Sequence, residues 1–265
     1  MGADWELPPP LRTDIAHSAR IYDYFIGGKD NFPVDREAAE QVLTLRPSLA
    51  LAAQANRRFM CRAVDHVAAQ GVRQFLDLGT GIPTSPNTHE VAQAALPDAR
   101  VVYVDNDPMV LAHARALLVS APQGRTAYID ADIREPEKIL DTAAEVLDFT
   151  QPVGVILMAV LQFVPDEDGP HEIVRRLMEA VPRGSYLVIS HPAADLQAVA
   201  MAGMATRLNQ LMVQRVKPRR KDEVTAFFDG LSLVDPGVIR CPEWRPECPE
   251  DAAGKSTMWG GVAVK

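Results

Sequence analysis

Phe75-Leu-Asp-Leu-Gly-Thr-Gly-Ile-Pro-Thr84 is a short apolar run that ends in a Gly-rich turn. Gln74 to Leu78 has the length and character of a buried strand. Gly79 and Gly81 let the backbone approach a ligand closely and adopt φ > 0. A dinucleotide fingerprint needs a third Gly three positions after Gly81. This chain has Thr84 there, and Pro83 stiffens the turn. Asp77 sits inside the strand, just before the turn, where a carboxylate suits a ligand bearing an ammonium group. A tight strand-to-helix turn that binds nothing would read the same way in isolation, so the flanking segments decide.

Downstream, Val101-Val-Tyr-Val104 reads as a second strand, followed by Asp105-Asn106-Asp107-Pro108. A carboxylate at Asp105 can accept both hydroxyls of a ribose. Asp107 precedes a Pro at the first helical position and is the better helix cap, which leaves Asp105, with Asn106 beside it, for the sugar. Ala127 to Ile129 reads as a third strand. Beyond it, Asp132 can accept from the exocyclic amine of an adenine while Ile133 covers a ring face; Asp130 is the weaker alternative. Gly154 to Val160 and Ser185 to Ser190 read as fourth and fifth strands, the fourth nearly all apolar, as a strand buried on both faces should be. Helical segments over 87–96, 108–119, 135–147 and 170–181 lie between them. This alternation predicts a Rossmann-like α/β fold, a mostly parallel sheet with helices on both faces. Acidic and Gly-rich sites then fall at consecutive strand C-termini, where open α/β sheets bind ligands. Asp77, Gly79, Thr80, Gly81, Asp105, Asn106, Asp132 and Ile133 together fit S-adenosylmethionine, whose methionine end carries the ammonium group.

The ends of the chain differ. Residues 1–12 are polar and Pro-rich and read as a flexible arm. From Thr13 to about Gln70 the pattern is helical, with Thr13-Asp14 as a first cap. Residues 71–265 then form the Rossmann-like domain. Segments 193–215 and 221–229 read as helices. Leu231 to Ile239 and Thr257 to Val264 read as an antiparallel strand pair closing one sheet edge.

Composition narrows the partners. The formal net charge is −8 over 265 residues, and an acidic surface repels phosphate backbones, so nucleic acid is a poor substrate. The basic cluster Lys217-Pro-Arg-Arg-Lys221 reads as a solvated loop. The longest apolar run, Val153 to Val164, falls short of the ~20 residues that span a bilayer, so no membrane partner is expected. Three cysteines without zinc-type spacing read as reduced thiols, which points to the cytoplasm and to no metal. Oligomeric state is left open, a homodimer being one option.

The order of these motifs resembles class I S-adenosylmethionine-dependent methyltransferases. More closely, Ala19-Arg-Ile-Tyr-Asp-Tyr-Phe-Ile-Gly-Gly-Lys-Asp-Asn-Phe-Pro-Val-Asp-Arg36 resembles the signature of an actinobacterial family of S-adenosyl methyltransferases, long catalogued as a domain of unknown function. Ala55-Asn-Arg57, Asp105-Asn-Asp-Pro108, Asp132-Ile-Arg-Glu-Pro136, Val164-Pro-Asp-Glu-Asp168 and Gly260-Gly-Val262 extend the resemblance over essentially the whole chain. It implies a roughly seven-stranded sheet whose last strand is antiparallel, with the N-terminal helices as a lid over the cofactor. It also implies a His after the fourth strand. This chain has Gln162 there, which hydrogen-bonds but cannot act as a base near pH 7.

An activated sulfonium methyl needs alignment and exclusion of water more than acid–base help. His191, just after the fifth strand, is the base candidate, with a plain loop histidine as the alternative. Tyr22, Tyr24, Phe25 and Phe163 are candidates to line the pocket, since aromatic faces attract a sulfonium. Asp30 and Asn31 form a polar loop that faces substrate or simply makes a turn. Arg57 is a candidate partner for the methionine carboxylate. The chain lacks the Asn- or Asp-Pro-Pro-aromatic motif of DNA amino-methyltransferases and the Pro-Cys nucleophile of RNA cytosine enzymes. Methyl transfer to an oxygen or nitrogen of a small molecule is the favoured activity, yielding S-adenosylhomocysteine. The competing readings are a catalytically silent sensor of this cofactor and, less favoured, an NAD-dependent oxidoreductase.

Overall fold

The computed structural model describes residues 12–117, 120–254 and 256–265, so the arm expected over 1–12 lies outside the described residues except for Arg12. The strands are β1 (Gln74–Leu78), β2 (Arg100–Asp105), β3 (Arg125–Asp130), β4 (Gly154–Met158), β5 (Tyr186–Pro192), β6 (Ser232–Leu233), β7 (Ile239–Arg240) and β8 (Met258–Val264). The helices are α1 (Ser18–Phe25), α2 (Pro33–Leu45), α3 (Leu49–Ala69), α4 (Thr88–Ala95), α5 (Pro108–Leu117), α6 (Pro136–Ala143), α7 (Pro170–Glu179), α8 (Ala198–Leu211), α9 (Lys221–Thr225) and α10 (Pro249–Ala252). The strands form one sheet in the order β3-β2-β1-β4-β5-β8-β6, with β7 also pairing with β8. The first five strands are parallel, and β8 runs antiparallel to β5. The order reverses between β1 and β4, and the crevice over that point is where an open parallel sheet receives a ligand.

The apolar strands bury both faces. Leu76, Leu78, Val155 and Leu157 pack on one side with Ile139 of α6 and Leu177 of α7. Phe75, Val101, Ile156 and Val188 pack on the other with Phe59, Val64 and Val67 of α3 and Ala92 of α4. Gly260 lets this second layer close on β8: a Cβ there would lie 2.9 Å from Cys241 Sγ and 3.0 Å from the Phe59 ring.

Three expectations need correction. The segment 231–239 is not one strand. Asp235-Pro-Gly237, with Gly237 at φ 82°, turns the chain between two short strands, β6 and β7, and both pair with β8. β4 ends at Met158, because Ala159 takes the left-handed region (φ 50°) and the chain enters a tight 3-10 turn over Leu161–Phe163. The later turns of α3 pack on the face of the sheet, and Ala53 near its start joins Ile21 and Phe25 of α1 and Ala39 and Val42 of α2 in a separate core with Met201, Met204 and Leu208 of α8. The helix expected over 193–215 is shorter at both ends, since α8 spans Ala198–Leu211.

The α1–α2 corner is held by a buried ion pair. His17, rather than Thr13 or Asp14, caps α1. Asp35 accepts from the His17 amide (2.9 Å), the Phe32 amide (2.9 Å) and Arg20 Nε (2.8 Å), and it is fully buried. Among the described residues no helix is long and apolar enough to cross a membrane. Removing one partner of a buried pair leaves an uncompensated charge, so Asp35→Ala is expected to destabilise the protein by about 3–5 kcal/mol. Urea denaturation checks this, and a loss under about 1 kcal/mol would mean the corner does not depend on the pair.

Candidate active site

The turn after β1 is built around two glycines in the left-handed region, Gly79 (φ 70°) and Gly81 (φ 67°). A Cβ at Gly79 would lie 2.3 Å from Val160 Cγ2, so this position also needs Gly for space. The Gly79 amide donates to Val104 O (2.8 Å) and the Gly81 amide to Asp105 Oδ2 (2.9 Å). The Asp107 amide donates to Asp105 Oδ1 (2.9 Å), while Asp107 Oδ1 accepts from the Met109 amide (2.9 Å) and caps α5. Each Asp105 oxygen therefore keeps acceptor capacity, and burial raises its pKa.

Asp77 is the most perturbed carboxyl of the site. It is 6% exposed, and burial pushes its pKa up to about 6. Its hydrogen-bond partner is the Thr88 hydroxyl at 2.6 Å, which lowers the pKa only partly. Arg57 donates to Thr84 O and Pro86 O through Nη2 alone, and it forms no ion pair among the described residues. A cation-seeking carboxylate and an anion-seeking guanidinium thus share one cavity.

That cavity measures about 190 Å3 and lies over the C-terminal ends of the central strands. Tyr22, Arg57, Asp77, Gly79, Thr80, Gly81, Asp105, Asn106, Asp132, Ile133, Gln162 and Phe163 all line it. Asp132 is already occupied. Arg134 holds it through Nε (2.9 Å), Nη2 (2.7 Å) and its amide (2.9 Å), and Asn106 Nδ2 donates at 3.1 Å. Those bonds to Arg134 keep its pKa low. An adenine amine could reach this carboxylate only by displacing one of these donors.

Other candidates fall elsewhere. His191 is fully buried. Its Nδ1 lies 3.0 Å from Pro192 O and its Nε2 3.0 Å from Arg219 Nη1. Burial drives its pKa down to about 3. With Nδ1–H donating to the carbonyl and Nε2 accepting from the guanidinium, no lone pair remains for a base. Tyr24 points away, its hydroxyl donating to Glu40 Oε1 at 3.1 Å. Phe25 lines an adjoining cavity. Asp30 and Asn31 face Asp23: the Asp30 amide (3.0 Å) and Asn31 Nδ2 (2.7 Å) both donate to Asp23 Oδ2.

Three residues of the site were not legible as such. Asp23 lines the main cavity while nearly buried, and Gly28 leaves room for it; a Cβ at Gly28 would lie 1.9 Å from Asp23 Oδ1. His17 lines the cavity too, its Nδ1 2.8 Å from Asp107 Oδ2, which ties α1 to the end of β2. Arg219 is 1% exposed rather than solvated. It donates to Leu161 O (2.8 Å), Val164 O (2.9 Å) and Asp166 Oδ1 (2.9 Å), fixing the turn that carries Gln162 and Phe163. Asp-Tyr-Phe-Ile-Gly-Gly spacing was the only available signal for Asp23; nothing local marked Arg219. Among the described residues no group of three or more His, Cys, Asp or Glu side chains is arranged to hold a metal ion.

A parallel sheet of this order, closed by an antiparallel strand and acidic at its strand ends, defines a class I methyltransferase. Residues 5–265 match the S-adenosyl methyltransferase family. A DUF574 family protein from Streptomyces avermitilis is 46% identical over 97% of this chain and 100% of its own, with a TM-score of 0.93. A Thermobifida fusca protein solved as a candidate methyltransferase is 37% identical over 99% of both chains, with a TM-score of 0.89. The magnesium protoporphyrin IX methyltransferase of Synechocystis, solved with S-adenosylhomocysteine, shares the fold at 14% identity, 92% and 93% coverage and a TM-score of 0.54. No curated protein matches the chain. The chain belongs to the S-adenosyl methyltransferase family and is an S-adenosylmethionine-dependent methyltransferase.

Asp77 yields a prediction whose sign is unusual for an aspartate. Its folded pKa of about 6 lies above the unfolded value of 3.8, so the ligand-free fold loses stability as pH rises between them. The cost is absent below the unfolded value and complete above about 6, where it amounts to about 3 kcal/mol. Asp77→Asn is expected to raise the stability of the ligand-free protein at pH 7 and to flatten its pH dependence across this window. Denaturant titrations at pH 4, 5, 6 and 7 check this; equal slopes in both proteins would refute it.

Proposed function

We propose that this enzyme transfers the methyl group of S-adenosylmethionine to an oxygen or nitrogen atom of a small molecule, and that Asp77, Asp105 and Arg57 hold the cofactor. One observation carries the assignment. A buried carboxylate and a guanidinium, neither in an ion pair among the described residues, line one cavity at the strand ends with a second carboxylate that has spare acceptor capacity. The cofactor brings the complementary ammonium, diol and carboxylate. When bound, it supplies a methyl group already activated on sulfur.

The chain's own residues supply binding, orientation and dryness. Asp105 takes the ribose hydroxyls on the acceptor positions that Gly81 and Asp107 leave open. Asp77 pairs with the ammonium group, which offsets its desolvation, and Arg57 meets the carboxylate. Ile133 covers a ring face. Asp132 holds Arg134 and Asn106 in the wall instead of reading the adenine directly. Tyr22 presents its ring, since its hydroxyl is tied to Ala53 O (3.1 Å) and Asn56 Nδ2 (3.0 Å). With His191 locked onto Arg219, alignment rather than proton abstraction carries the reaction.

Isothermal titration with S-adenosylhomocysteine and NAD tests the reading. Wild type is expected to bind the former and not the latter, and Asp105→Ala to weaken it roughly a hundredfold, the loss of two charge-assisted hydrogen bonds. Absence of S-adenosylhomocysteine binding to folded wild type would overturn the cofactor assignment. Tight binding without transfer to any hydroxyl or amino acceptor would favour the silent-sensor reading.

A further inference from the structure

A second cavity, of about 90 Å3, adjoins the first. Ser18, Tyr22, Ala159, Gln162 and Phe163 line both and form the partition. Beyond the partition the walls include Phe25, Met204, Leu208, Met212, Val216 and Met258. Among the described residues no acidic, basic or histidine side chain lines this space. Its polar side chains are those of Ser18, Tyr22 and Gln162, and the Tyr22 hydroxyl is already engaged.

Gln162 differs. Its Nε2 donates to Ala159 O at 2.6 Å, which fixes the amide, yet its Oε1 is buried with no donor among the described residues. The residue is 6% exposed and sits on the turn that Arg219 clamps from behind. A buried carbonyl oxygen without a donor is unfavourable, and rare enough in native proteins to call for an explanation. A ligand that brings a hydroxyl or N–H to this point supplies one.

We infer that the second cavity is the acceptor site, that it takes a neutral, largely apolar molecule, and that Gln162 Oε1 receives the hydrogen of that molecule's hydroxyl or amino group. The inference rests on the methyltransferase reading above. An ion would lose its hydration here with no counter-charge in the walls. An apolar body replaces water at no such cost, and the flexible thioethers of Met204, Met212 and Met258 accommodate an irregular outline. Gln162 cannot take up the proton; it is a positioning residue that holds the nucleophile at the partition, beside the main cavity.

The test uses the full chain saturated with S-adenosylhomocysteine and three bicyclic probes: 2-naphthol, naphthalene and 2-naphthoate, followed by fluorescence titration. Wild type is expected to bind 2-naphthol about tenfold or more tighter than naphthalene, the worth of one hydrogen bond to a buried acceptor, and to reject 2-naphthoate. In Gln162→Leu the ratio of the first two is expected to fall to about one, a readout independent of overall folding. Met204→Trp, which fills the cavity, is expected to lose both neutral probes while still binding S-adenosylhomocysteine. Failure of 2-naphthol to bind the S-adenosylhomocysteine-loaded protein, preference for 2-naphthoate, or an unchanged ratio in Gln162→Leu would overturn the inference alone. Failure of S-adenosylhomocysteine to bind wild type would overturn the underlying reading with it.

Discussion

The Gly81 amide donates to the Asp105 carboxylate, and that bond joins the turn after β1 to the end of β2. Its geometry exists only because Gly79 and Gly81 bend the chain through the left-handed region and because Gly79 leaves space for Val160. Asp107 then caps α5 and adds its own amide to Asp105. Two strand ends thus become one rigid floor, with the carboxylate held in place before any ligand arrives. Such preorganisation lowers the ordering cost that binding would otherwise incur.

The elements above the floor are fastened to it by apolar packing of Ala19 and Phe32 on Ile82, Met109 and Val110, and by polar contacts reaching across elements. His17 ties the start of α1 to Asp107. Arg219 reaches from the loop before α9 to the turn after β4 and to His191. Three residues of the Gly-Gly-Lys-Asp-Asn stretch answer to one side chain: Asp23 folds back over Gly28 and accepts from the Asp30 amide and Asn31 Nδ2. Its role is to shape the end of α1, which closes the cavity, and the conspicuous polar loop contacts Asp23 rather than lining the cavity.

The parallel strands were readable because a strand buried on both faces needs an unbroken apolar run, and β1, β2, β4 and β5 have one. The acidic strand ends were readable because such a sheet offers ligands only one edge. Orientation within a helix was readable in part. Tyr22 and Phe25 are three apart and share a face of α1, whereas Tyr24 projects elsewhere, as a 3.6-residue repeat requires. The fates of His191 and Arg219 were not readable. They stand 28 positions apart and meet only through the packing of a loop, and no local pattern announces a buried arginine. The same holds for the two-sided packing of α3: Phe59, Val64 and Val67 meet the sheet, while Ala53 packs with α1, α2 and α8.

The cover of the site is assembled from both ends of the chain. α1 and α2 come before the sheet and α8 after its fifth strand, yet the three share one core. If the second cavity is the acceptor site, as proposed above, recognition of the acceptor is not a portable module. Grafting residues 13–45 from one relative onto another would leave behind the wall formed by Met204, Leu208 and Met212. On that proposal a change of acceptor calls for matched changes in α1–α2 and in α8, because neither stretch encloses the second cavity alone.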